Sequence, residues 1–132
     1  MIADTSALVA ILKREPEHAA FSALLETTQN VSISAVTYFE ASIVIDSLRQ
    51  PAVSRQFDDM IEKSRIAIEP VTVEQAKIAR QAYRDYGKGS GHPAQLNFGD
   101  CFSYALARDK REPILFKGDD FVHTDLRSAL VS

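Results

Sequence analysis

The chain has a single cysteine, Cys101, among its 132 residues, so no internal disulfide can form. That scarcity fits a reducing compartment and points to the cytoplasm. Histidine is also sparse. His18, His92 and His123 are scattered, and no His or Cys spacing suits a zinc site. Neither Gly-x-x-x-x-Gly-Lys-Ser/Thr nor Gly-x-Gly-x-x-Gly occurs, which removes the usual phosphate cradles. No uncharged run approaches the ~20 residues that a membrane span needs. The N-terminus lacks a basic region and a cleavage site, and Asp4 interrupts its apolar run, so no signal peptide is expected. Nor is there an excess of one charge. Fifteen basic against eighteen acidic residues leave a net charge of -3, too mild for an acidic tail and no attraction for nucleic acid. Any nucleic-acid contact must use a local patch.

What is present suits one compact domain over residues 1–132, since 45% of residues are hydrophobic. Met1 to Thr5 reads as a buried strand. A helix follows, with Ser6 as N-cap and Leu8, Val9, Ile11 and Leu12 at helical spacing. Glu17 to Thr27 is a second helix after Pro16. Val31 to Ser34 is a strand, and Ala35 to Leu48 a long helix with Val36, Phe39, Ile43 and Val44 on its apolar side. Pro51 ends it. A helix carries Phe57, Met60 and Ile61, then Arg65 to Glu69 alternates like a strand. Val73 to Tyr86 is helical, Gly87 to Gln95 is a loop rich in Gly and Pro, and Phe98 to Lys110 is a helix. Ile114 to Lys117 is a strand, and Phe121 to Ser132 has room for one more. Short apolar strands alternating with helices imply βαβ units, a mostly parallel sheet and an α/β fold. Ligands in such folds sit beyond the carboxyl ends of the strands.

Acidic residues stand where burial makes them costly. Asp4 ends the first strand; its bland reading is a helix cap. Glu40 shares a helix face with Val36, Ile43 and Val44, and Glu is rarely buried unpaired. Its bland reading is a stripe-edge residue reaching solvent or pairing with Lys or Arg. Asp100 falls at the third position of a helix if Asn97 caps it, a capping-box position, yet it shares a face with Ser103, Tyr104 and Ala107. Gly99 beside it permits close backbone approach. Asp119 and Asp120 follow Lys117-Gly118 at a strand end, where a Gly-Asp turn explains one acid better than two. Convergence on a divalent metal explains all of them together. Mg²⁺ or Mn²⁺ takes oxygen ligands from few carboxylates, orients a water and stabilises charge on a phosphate. No serine or cysteine nucleophile with a nearby His is suggested.

The segments MIADTSALVAIL, ISAVTYFEASIV, YGKG with HPAQLNFGDCFSYALA, and EPILFKGDDFVHTDL occur in this order across nearly the whole chain. Together they resemble the PIN-domain ribonucleases, specifically the VapC-type toxins of VapBC toxin–antitoxin modules. The resemblance implies a three-layer α/β/α fold with a small parallel sheet, and endonucleolytic RNA cleavage dependent on Mg²⁺ or Mn²⁺. It implies a site of Asp4, Glu40, Asp100 and Asp119 or Asp120, with Asp4 and Asp100 holding the metal most directly. It also implies a homodimer and a VapB-type antitoxin partner. One segment departs from the family form: KGSGHPA is longer than KGRHPA and lacks its arginine.

Lys13, Arg14, Lys88 and Lys117 are candidate phosphate contacts, ordinary solvated surface being the competing reading for the first two. Leu8, Leu12, Phe21 and Leu25 are either core or a groove for an antitoxin helix. Tyr38, Phe39, Ile45 and Leu48 exceed what one helix face buries, and the next helix adds Phe57 and Met60; such a surplus marks an interface. The same acidic site suits a DNA nuclease or a phosphatase. A receiver-like signalling domain also gathers acids at strand ends but leaves Glu40 without a task. A binding module with a decayed site is disfavoured by the filled acidic positions.

Overall fold

The computed structural model describes residues 1–130. Four short strands, β1 (Ile2–Ala3), β2 (Ser32–Ser34), β3 (Ala67–Glu69) and β4 (Ile114–Leu115), form one parallel sheet in the order β3-β2-β1-β4. Six helices surround it: α1 (Thr5–Leu12), α2 (His18–Thr27), α3 (Ala35–Asp46), α4 (Pro51–Lys63), α5 (Val73–Tyr86) and α6 (Phe98–Lys110). The expected three-layer α/β/α arrangement is what the chain forms.

The sheet separates two apolar clusters because side chains alternate along a strand. Ala3, Ile33 and Leu115 join the side covered by α1 to α4, packing with Leu8, Phe21, Leu25, Ile45 and Phe57. Ile2 and Ile114 point the other way, into Leu96, Leu106, Phe121 and the alanines of α5 and α6. Burial on both faces explains why the inner and neighbouring strands β1 and β4 are wholly apolar, while the edge strand β3 is largely exposed and alternates.

The first helix begins two residues earlier than a Ser6 cap implies. Its cap is Asp4, whose side chain accepts from the Ser6 backbone N–H, and not Ser6. Strand β4 stops at Leu115, two residues early, because the Lys117 N–H is drawn off to Ser6 Oγ. The terminal segment adds only a bridge of Ser128 to Ile114; Val131 and Ser132 lie outside the described residues.

Helix α3 is phased differently from the expectation. Its buried residues are Thr37, Ala41 and Ile45, while Phe39 and Ile43 are exposed and Glu40 is half-buried. The helix is apolar on almost every side, so periodicity could not choose a face. Leu8, Leu12, Phe21 and Leu25 are all core, which decides between the two readings against a groove there. Of the suspected interface residues, Ile45 and Phe57 are core, and Phe39 remains free with its neighbour Ile43.

Candidate active site

Asp4 leaves the carboxyl end of β1 and is 2% exposed. Its Oδ2 accepts from the Ser6 N–H at 3.1 Å and the Ser6 hydroxyl at 2.7 Å. Its Oδ1 accepts from Ser103 Oγ at 2.6 Å. Hydrogen bonds to a charged group contribute about 1.5–3 kcal/mol each, enough to offset much of the cost of burying the carboxylate.

Asp100 is brought to the same place by the first turn of α6. Asn97 caps that helix and forms a reciprocal capping box: Asn97 Oδ1 accepts from the Asp100 N–H at 2.8 Å, and Asp100 Oδ2 from the Asn97 N–H at 3.1 Å. The cap reading and the site reading of Asp100 therefore describe the same placement. Burial, then the neighbouring Asp4 charge, then the Asp120 carboxyl within hydrogen-bonding reach push the Asp100 carboxyl up to about 8, against the pull of the Asn97 amide. Of the paired acids after Gly118, Asp120 meets Asp100. Both are exposed, and Asp119 contributes its backbone carbonyl to the Val122 N–H.

Glu40 reaches the site from α3. Thr5 Oγ1 donates to its Oε1 at 2.5 Å. Its carboxyl lies against Gly99, where a Cβ would meet both oxygens. Thr5 adjoins Asp4 and Gly99 adjoins Asp100 in sequence, so Glu40 contacts a chain neighbour of each. Glycine is needed at position 99 for this approach, not for a special backbone angle.

Sequence reading passed over the roles of Thr5, Ser6, Thr37 and Ser103. Thr37 and Ser103 are fully buried hydroxyls in apolar helix runs, and their Oγ atoms lie 3.1 Å apart. A buried hydroxyl among alanines and isoleucines was the available signal. Lys117, expected to meet phosphates, instead pairs with Glu15 at 3.0 Å and Glu17 at 3.6 Å. Lys13, Arg14 and Lys88 are exposed. Burial and the Asp100 charge push the Cys101 thiol up to about 11, so it is no nucleophile at neutral pH. A broad groove lined by Leu25, Met60, Lys63, Arg65, Lys110 and Glu112 lies where the chain enters the strands and holds none of the five acids.

The donors are hard carboxylate oxygens. Among the described residues, no three His, Cys, Asp or Glu side chains stand in joint reach of one ion. Mg²⁺ needs no such cage, since it is held by one or two carboxylates and keeps several waters. Asp4 and Asp100, mutually repelling beneath Asp120, fit that requirement, and a cation would relieve the repulsion.

A family model described as PIN domain matches residues 1–126. Ribonuclease VapC28 of Mycobacterium tuberculosis is 54% identical over 130 residues, covering 98% of each chain. Ribonuclease VapC42 of the same species is 48% identical over 129 residues, again 98% of each. The chain belongs to the PIN-domain family, within its VapC ribonuclease branch. Solved structures agree on the fold of this PIN domain. Mycobacterium tuberculosis VapC20, described as a sarcin-ricin loop cleaving toxin, superposes with a TM-score of 0.76 at 16% identity, covering 98% of each chain. A chain of VapBC2 from Rickettsia felis, solved bound to a promoter DNA fragment, gives 0.71 at 13% identity, covering 96% of this chain and 95% of its own.

Two outcomes follow from this geometry. A carboxyl raised from its ordinary 3.8 to about 8 keeps its proton when folded while the unfolded chain releases it. Between those values folding loses stability as pH rises, by at most about 1.4 kcal/mol per pH unit, and above them the loss is constant. Asp100→Asn cannot ionise, so in metal-free protein its stability advantage over wild type should be absent near pH 4 and largest above pH 8. Urea unfolding across that range measures it, and an advantage that shrinks with rising pH contradicts the arrangement. Gly99→Ala should stabilise α6 by up to ~1 kcal/mol while expelling the Glu40 carboxyl and lowering nuclease activity at least tenfold. Unchanged turnover in a correctly folded Gly99→Ala variant would show that Glu40 does not act from that position.

Proposed function

We propose that this chain is an endoribonuclease dependent on Mg²⁺ or Mn²⁺ and the toxin of a VapBC-type module, active as a cytoplasmic homodimer. The observation that carries the reading is Asp100 held beside Asp4 and Asp120, with Glu40 against the neighbouring Thr5 and Gly99, in a chain 54% identical to a named VapC ribonuclease. Residues 1–132 are read as a single PIN domain. The ion, when bound, supplies a lowered water pKa and stabilises charge on the phosphate. Asp4 and Asp100 would hold it. Glu40, held by Thr5, and Asp120 would orient the attacking water and accept its proton. Asp119 takes no part in this reading. Lys88, Lys13 and Arg14 supply the local cations for RNA phosphates, and Lys117 braces the rim through Glu15 and Glu17.

The exposed pair Phe39 and Ile43, one turn apart on α3, is the apolar surface we assign to the homodimer. A VapB-type antitoxin is the partner that would control such an enzyme. Support for it comes from the fold shared with chains solved in toxin–antitoxin complexes, such as one from Klebsiella pneumoniae with a TM-score of 0.69 at 18% identity, covering 94% of this chain and 92% of its own.

The test is cleavage of structured RNA, and of DNA of the same sequence, by wild type and Asp4→Asn in Mg²⁺, Mn²⁺ or excess chelator. The expected result is RNA cleavage that needs the metal and falls at least 10²-fold in Asp4→Asn. Cleavage of DNA alone would make this chain a DNA nuclease with the same site, and full activity in chelator would overturn the metal assignment.

A further inference from the structure

The Asp4 carboxylate is turned by hydroxyls that the catalytic reading leaves without a task. Ser103 Oγ donates to Asp4 Oδ1 at 2.6 Å, and Thr37 Oγ1 lies 3.1 Å from Ser103 Oγ. A serine hydroxyl has one proton and two acceptor positions. The Ser103 proton is committed to the short, charge-assisted bond to Asp4. The donor of the longer contact is therefore Thr37, and the chain runs Thr37 to Ser103 to Asp4 in one direction. Both hydroxyls are fully buried. Neither position needs one for packing: the other buried residues of α3 are Ala41 and Ile45, and Ser103 is followed by Tyr104, Ala105, Leu106 and Ala107.

The spacing gives the chain of hydroxyls a purpose. Thr37 precedes Glu40 by three residues on α3, and Ser103 follows Asp100 by three on α6. Residues three apart share a helix face. One bond between hydroxyls thus fixes the rotation of the Glu40 helix against the Asp100 helix, and its far end fixes Asp4. Of the four acceptor positions on the Asp4 carboxylate, Ser6 takes two on Oδ2 and Ser103 takes one on Oδ1. The position left open is on the oxygen that Ser103 turns.

We propose that Thr37 and Ser103 are positioning residues, a buried hydroxyl relay that orients Asp4 toward a divalent cation and locks the two acid-bearing helices in register. The proposal rests on the metal-dependent reading given above.

Calorimetric titration of the full chain with Mn²⁺ alone tests it, with four proteins compared and metal-free thermal unfolding measured in parallel. Thr37→Val keeps the shape and loses the hydroxyl; Thr37→Ser keeps the hydroxyl and loses a methyl. The relay predicts that Thr37→Val weakens Mn²⁺ binding about tenfold and Ser103→Ala about 10–100-fold, the range found when groups that orient metal ligands are removed. Thr37→Ser should keep wild-type affinity even where its unfolding temperature drops. A packing role predicts the reverse: Thr37→Ser less stable, and Thr37→Val with wild-type affinity. Wild-type affinity in Thr37→Val overturns the relay alone. Failure of wild type to bind Mn²⁺ overturns the metal reading and the relay with it.

Discussion

A buried carboxylate cannot stay ionised unless something inside the protein replaces the water it has lost. For Asp4 the replacements come from Ser6 on α1 and Ser103 on α6, with Thr37 on α3 behind Ser103. The loop after β4 joins through the Lys117 N–H on Ser6 Oγ. The Asp4 backbone N–H also closes the sheet by donating to the Leu115 carbonyl. Elements far apart in sequence thus end on one side chain. β1 ends at Ala3 and β4 at Leu115, which brings Asp4 and Lys117 to that junction.

Around this junction the charge balance is unfavourable. Asp100 is raised by burial, Asp4 and Asp120 at once, and Lys117, the candidate cation on the adjoining loop, is paired with Glu15 and Glu17. A fold that wanted only stability would place an arginine there or remove the acids. Carboxyls crowded together by a capping box, a threonine and buried hydroxyls keep a proton that water would remove, and the repulsion that holds it there is relieved when a divalent ion takes its place. The same repulsion makes the site a natural seat for a cationic side chain from a partner, since a guanidinium binds carboxylates in pairs.

Much of this was legible in the sequence, and the reasons differ by residue. Asp4, Asp100 and the acids after Gly118 stood out because strand ends and helix starts are marked by local chemistry: an apolar run, an asparagine cap, a glycine. The order of strands and helices followed from the same punctuation. The phase of α3 was not legible, because Val36, Phe39, Ile43 and Val44 are as apolar as the residues that are buried, Ala41 and Ile45. Glu40 was therefore singled out partly for a wrong reason. It is half-buried, and its position is set by Thr5 and by the missing side chain at Gly99, both tertiary facts. The fate of Leu8, Leu12, Phe21 and Leu25 was open for a like reason: an apolar stripe does not say whether its own chain or a partner covers it. Whether Asp119 or Asp120 reaches Asp100 depends on the turn after Gly118, which sequence spacing does not set.

The central claim is that the junction built on Asp4 is a divalent-cation site, with Asp100 as the second carboxylate. Anomalous scattering from crystals of the full chain grown with Mn²⁺ tests it most directly. The account predicts one strong manganese peak about 2.0–2.3 Å from an oxygen of Asp4 and of Asp100, with waters completing the shell and the Ser103 bond to Asp4 intact. A peak elsewhere on the protein, with Asp4 and Asp100 bridged only to each other by a shared proton, would contradict it.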